Sequence, residues 1–175
     1  HLSRLIEDFL LLISAKDHPV LGRRLPAMAM ALAEQALDLA QRKTAARQVS
    51  FALECAADLP PITAEEPRLV QALAHALAYL ASRAPSGSAV RLALTSADRA
   101  ISFHLTDDGE TLSPAELAQI FDAPCFRGGS PAPGTSGLEL TIARLIAEQH
   151  GGTLHAANRP TGGLELRLSV PRFDG

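Results

Sequence analysis

Apolar residues fall at Leu2, Leu5, Ile6, Phe9, Leu12 and Ile13, the three-and-four spacing of a helix that packs against other helices. The stretch AKDHPVLG, with Pro19 and Gly22, ends that helix and places a domain boundary near Pro19. A second helix is predicted after Pro26, through the Ala-rich run ALAEQALDLAQRKTAARQ. VSFALEC alternates as a strand does, PRLVQALAHALAYLASR returns to helical spacing, and PSGS makes a turn. Two alternating runs joined by a short polar turn, VRLALTSADRAISFHLTDD, predict an antiparallel hairpin that ends at an acidic pair. SPAELAQIF carries a serine N-cap, a proline at the first helical position and a glutamate at the third, the start of a short helix. RGGSPAPGTSG is then a long loop of Gly, Pro and Ser, predicted to be mobile unless something binds it. The helix LELTIARLIAEQH stops at Gly151 and Gly152, and TLHAAN and GLELRLSV close the chain as a hairpin around RPTG. This order predicts an α+β fold, a two-layer sandwich with helices on one face of a mixed, mostly antiparallel sheet.

Composition narrows the function classes. With 175 residues, 47% of them hydrophobic, the chain can bury one good core and a small appendage. A net charge of −3 with no basic run argues against a nucleic-acid groove or an anionic membrane surface. Apolar stretches are broken by charge before a bilayer would be spanned, and no signal-peptide start is present, so a cytoplasmic location is expected. Cys55 and Cys125 lack a second Cys or His at ligand spacing, so they read as buried or idle thiols. The start at His1 rather than Met is read as that of a fragment of a longer protein.

The segments above also occur in a specific order. EPRLVQALAHALAYLASRAPSGSAV follows an N-box rhythm, TDDGETLSPAELAQIF stands where a first glycine box belongs, IFDAPCFR resembles an F-box, and SGLELTIARLIAEQHGGTL stands at a second glycine box. In this order they resemble the catalytic, ATP-binding domain of sensor histidine kinases, in the superfamily shared with gyrase, Hsp90 and MutL. HLSRLIEDFLLLISAKD looks like the second helix of that family's dimerisation hairpin. The resemblance implies residues 1–18 as that helix and residues 19–175 as the ATPase-type domain. It implies ATP with Mg²⁺ as cofactor, phosphoryl transfer to a histidine in two-component signalling, a homodimer or kinase partner through the N-terminal helix, and a response regulator as partner.

Carried over residue by residue, the resemblance assigns adenine recognition to Asp107, whose carboxylate would accept from the adenine amino group beside Gly109. Read locally, Asp107 and Asp108 equally well cap a turn. Thr111 replaces the second glycine of this box and can crowd a close backbone approach. Tyr79 stands where the family places its Mg²⁺-binding asparagine, His75 where an asparagine is expected one turn earlier, and Leu80 where a small residue follows. Mg²⁺ favours carboxylate, carbonyl and water oxygens, so neither a phenol nor an imidazole replaces that ligand, and both are expected to fill the cavity. Gly134, Ser136, Gly137 and Leu138 belong to the loop and helix start that would present free N–H groups to phosphates.

Glu139 stands where the family has glycine. A carboxylate in the first turn gains roughly 0.3–1 kcal/mol from the helix dipole. Placed about 4 Å from a phosphate charge, it costs on the order of 4 kcal/mol at an effective dielectric near 20. Two readings stay open, one with Glu139 as the chain's own anion in the site and one with an outward-pointing surface charge. None of the six histidines has the context of the family's phosphoacceptor; His18 is at a helix break and His150 at a helix end, so the acceptor is expected upstream. Three functions follow: a kinase domain with weakened or lost nucleotide binding that acts by dimerising or docking, a working kinase supplemented by other residues, and a stand-alone anti-sigma-type switch.

Overall fold

A computed structural model describes Ile6, Glu7, Phe9, Leu10, Ile13 and residues 22–56, 58–122 and 137–174. Strand β1 (Leu25–Ala27) leads into helix α1 (Ala29–Lys43), followed by β2 (Ser50–Cys55), β3 (Ile62–Ala64) and helix α2 (Glu66–Arg83). The hairpin β4 (Ala89–Ala97) and β5 (Ala100–Thr106) precedes the short α3 (Pro114–Gln119). Helix α4 (Glu139–Gln149) and the hairpin β6 (Thr153–Asn158) and β7 (Leu164–Pro171) complete the order.

Five strands form one sheet in the order β2-β4-β5-β7-β6, with β2 parallel to β4 and every other pairing antiparallel. Alternation along the strands sends one set of side chains to the helices: Val90, Leu92 and Leu94 from β4, Ile101, Phe103 and Leu105 from β5, and Leu164, Leu166, Leu168 and Val170 from β7. Helix α2 answers with Leu69, Leu73, Leu77 and Leu80, spaced by alanines that let it lie close to α1 and α4. The α+β sandwich expected from the hydrophobic pattern is the observed architecture, with helices on one face of a mostly antiparallel sheet.

The structure departs from the sequence expectation at α1. That helix ends at Lys43 instead of running through Gln48. Thr44 donates both its N–H and its hydroxyl to the Ala40 carbonyl, at 3.0 and 2.8 Å, and Arg47 turns back to donate to the Ser82 carbonyl. β1 and β3 were not anticipated, because three-residue strands are too short to show alternation; they pair antiparallel with Ala27 opposite Ile62. The Ser113 start of α3 has the anticipated reciprocal cap, with Glu116 N–H donating to Ser113 Oγ at 3.3 Å and Ser113 N–H donating to the Glu116 carboxylate at 2.8 Å. Cys55 is a free, exposed thiol. The boundary at Pro19, the loop 127–136, Cys125 and most of the F-box segment lie outside the described residues.

Candidate nucleotide site

Asp107 follows the last residue of β5 and is fully buried. Its backbone continues the sheet, with Asp107 N–H donating to the Leu164 carbonyl at 3.1 Å. Its Oδ1 accepts from the N–H groups of Gly109 and Leu164, both at 3.0 Å. This is the acceptor geometry of a turn cap, and it uses only one carboxylate oxygen. Oδ2 has no hydrogen-bond partner among the described residues, although Arg83 Nε stands 3.2 Å from it in ion-pair contact. The turn reading and the recognition reading of Asp107 thus use different oxygens of one group.

The surroundings hold this carboxylate in place. Gly163, in the turn between β6 and β7, has φ +84°, and a Cβ there would run into the Asp107 carbonyl. Arg159 Nη1 donates to that carbonyl and to Asp108 Oδ1, and Arg91 Nη1 lies 2.9 and 3.1 Å from the two Asp108 oxygens. Hydrogen bonds from Arg91 and Arg159 lower the Asp108 pKa from its ordinary value. Asn158 accepts from Leu112 N–H at 2.9 Å and donates to the Leu112 carbonyl at 2.7 Å, tying the segment after Gly109 to β6. Arg83, one helical turn beyond Tyr79 on α2, donates from Nη2 to the Glu110 carbonyl on the same segment.

A second group of residues lies on α2 and at the start of α4, two helices that pack against each other. Gly137 has φ +78°, a left-handed turn that glycine adopts without strain, and Leu138 is buried as the residue capping α4. Glu139 is 6% exposed in the first turn of that helix. This burial overturns the reading of Glu139 as an outward surface charge: the first turn of α4 faces the packed side of the domain. Tyr79 is half-buried. Burial raises its phenol pKa, Arg83 opposes that rise, and the negative charges of Asp107, Glu116 and Glu139 add to it. The phenol therefore sits within electrostatic range of both the Asp107 end and the Glu139 end.

His75 is 3% exposed, and its pKa falls to about 3 through burial first and the Lys43 charge second. It is a neutral, packed imidazole. Leu80 is fully buried in the core, and Thr111 is exposed. Gly134 and Ser136 lie outside the described residues. The base end therefore fits a purine, with a buried acceptor oxygen that lacks a hydrogen-bond partner among the described residues. The α2 side chains at the metal end do not fit Mg²⁺: a phenol and a buried neutral imidazole stand where a carboxylate, carbonyl or water oxygen is favoured. Among the described residues no group of three or more His, Cys, Asp or Glu side chains stands ready to hold a metal ion. No step through Mg²⁺ is derived for this site.

Sequence reasoning missed Arg83, Arg159, Asn158 and Gly163. Arg83 had a usable signal, since its place four residues after Tyr79 puts both on one helix face. Arg159 and Gly163 read only as hairpin-turn residues, and their proximity to Asp107 comes from the β5–β7 register.

Residues 64–174 match a family profile described as histidine kinase-, DNA gyrase B- and HSP90-like ATPase. The sensor histidine kinase GtrS of Pseudomonas aeruginosa is 43% identical over 87 residues, covering 50% of this chain and 18% of that protein. The sensor-like histidine kinase SenX3 of Mycobacterium tuberculosis is 30% identical over 113 residues, covering 63% of this chain and 27% of that one. This chain therefore spans less than a third of the length of these relatives. Among solved structures, full-length ShkA in complex with AMPPNP superposes with a TM-score of 0.83 at 24% identity, over 98% of this chain and 36% of ShkA. The catalytic domain of histidine kinase ThkA superposes with a TM-score of 0.74 at 19% identity, over 86% of this chain and 97% of that domain. With the sheet order, the buried Asp107 and the glycine turn before α4 all in place, the chain belongs to the histidine kinase-, DNA gyrase B- and HSP90-like ATPase family.

Proposed function

We propose that this chain is the nucleotide-binding catalytic unit of a two-component sensor histidine kinase, with affinity for Mg-ATP weakened at the metal–phosphate end. Residues 1–18 are assigned to the second helix of a dimerisation hairpin and 19–175 to the catalytic domain. Asp107, Gly109 and Thr111 belong to the base end; Gly134, Ser136, Gly137 and Leu138 belong to the phosphate end. The acceptor histidine comes from a helix outside this sequence, the partners are a second kinase chain and a response regulator, and the location is cytoplasmic.

The observation that carries this reading is the buried carboxylate of Glu139 in the first turn of α4. A helix N-terminus attracts anions because its first N–H groups have no partner within the helix. Here the chain supplies an anion of its own, with a half-buried phenol nearby, and an incoming phosphate would meet both. The repulsion at about 4 Å is on the order of 4 kcal/mol at an effective dielectric near 20, which exceeds the dipole's contribution several-fold. Ordinary micromolar affinity falls to millimolar when about 4 kcal/mol is lost.

Restoring the family's residues tests this directly. Calorimetry of the Tyr79→Asn/Glu139→Gly double variant is expected to give Mg-ATP binding at least tenfold tighter than the parent chain. Equal affinity in parent and variant would remove these two residues as the cause. A second reading, an interaction module that docks without using ATP, is favoured by the exposed stripe of Ile6, Phe9, Leu10 and Ile13. Loss of every trace of ATP binding in both proteins, with dimerisation intact, would select it.

A further inference from the structure

Resting on the reading of Asp107 as the base-recognition residue, we propose that Arg83 is a second base-reading residue, donating a hydrogen bond from its guanidinium to the N1 acceptor of adenine while Asp107 Oδ2 accepts from the N6 amino group. Both partners are present as buried atoms with unmet hydrogen-bonding capacity. Among the described residues Asp107 Oδ2 and Arg83 Nη1 are each buried without a hydrogen-bond partner, whereas Asp107 Oδ1 is filled by two backbone donors. Buried polar atoms of this kind are rare in folded proteins, and a neighbouring acceptor and donor left open together point to a ligand that carries the complementary pair.

The geometry ties the two groups together. Arg83 Nε is 3.2 Å from Asp107 Oδ2, and Nη2 is anchored on the Glu110 carbonyl, so the guanidinium plane is held at the carboxylate with one nitrogen uncommitted. The Arg83 side chain is only 14% exposed and Asp107 is fully buried. Adenine presents an amino donor at position 6 beside a ring acceptor at position 1. An acceptor oxygen next to a planar donor fork is the complement of that edge, and a fork donates in a fixed plane that a lysine cannot reproduce. Gly109 keeps the approach to this pair narrow: a Cβ there would meet the Arg83 carbonyl at 3.1 Å.

The test uses nucleosides without phosphates, so that repulsion between a phosphate and Glu139 does not enter the result. Adenosine, 1-deazaadenosine, which replaces N1 by C–H, and 7-deazaadenosine, which keeps N1 and N6, are titrated into the full chain and followed by NMR chemical shifts. The parent chain is expected to bind adenosine and 7-deazaadenosine alike and 1-deazaadenosine about tenfold more weakly. In Arg83→Met, adenosine affinity falls about tenfold and the difference between adenosine and 1-deazaadenosine disappears. A merely structural role for Arg83 would weaken all three ligands together and leave the N1 preference intact, which would overturn the proposal. Should the variant fail to fold, the parent chain alone decides: equal affinity for adenosine and 1-deazaadenosine overturns it. Absence of adenosine binding altogether would overturn the proposal and the base-site reading with it. Adenosine binding without N1 preference would remove Arg83 and leave Asp107 standing.

Discussion

His75 and His150 are buried side chains whose lowered pKa values predict a contribution to this domain's response to acid. His75 is held near pKa 3 against an unfolded value near 6.5, so the folded state keeps it neutral while the unfolded chain takes up a proton. Its contribution is complete above pH 6.5 and is lost as pH falls from 6.5 toward 3. The slope is on the order of 1 kcal/mol per pH unit. His150 acts in the same sense: burial lowers its pKa, and its Nε2 accepts from Glu65 N–H at 3.1 Å while Nδ1 stands 2.8 Å from the Ile146 carbonyl. A proton on Nε2 would point at another N–H. Urea unfolding is expected to show stability dropping between pH 6 and pH 4, and His75→Leu is expected to reduce that slope. An unchanged slope in the variant would assign the acid response elsewhere. Gly163 is equally local. Its φ of +84° and its contact with the Asp107 carbonyl predict that Gly163→Ala lowers stability by about 2 kcal/mol or more, read in a thermal melt.

At the scale of elements, α3 is a surface helix whose start is capped. It has no fully buried residue; Leu117 packs half-buried against the core, and the Ser113–Glu116 reciprocal bonds and the Asn158 clamp on Leu112 fix its start. Ser113→Ala is expected to accelerate amide exchange across residues 114–119 by the equivalent of about 1 kcal/mol, with little change in the global melting temperature. A global shift of several degrees would mean that α3 is part of the core. This cap was legible in the chain because Ser, Pro and Glu stand at fixed offsets. The β4–β5 and β6–β7 hairpins were legible for a similar reason, since their alternation buries one face. Burial of Glu139 was not legible: helix position is a local property, while the depth of the first turn of α4 depends on packing against α2. The Arg83–Asp107 contact was hidden likewise, because it joins a helix end to a strand end 24 residues away along the chain.

At the scale of the whole molecule, the domain buries its sheet under α1, α2 and α4 but leaves Ile6, Phe9, Leu10 and Ile13 between 41% and 58% exposed. Those positions follow helical spacing, and apolar stripes of this kind associate in water. Sedimentation of the chain is expected to show concentration-dependent association that a version lacking residues 1–18 does not show; identical monomers would count against an interface there. The proposed division between a base end that takes a purine and a metal end obstructed by Tyr79 and Glu139 is the claim on which the function turns. The titration of the unaltered chain with Mg-ATP, followed by calorimetry, tests it most directly. A dissociation constant in the millimolar range or weaker is predicted; micromolar binding would contradict it and would require Glu139 and Tyr79 to leave the phosphate end when nucleotide arrives.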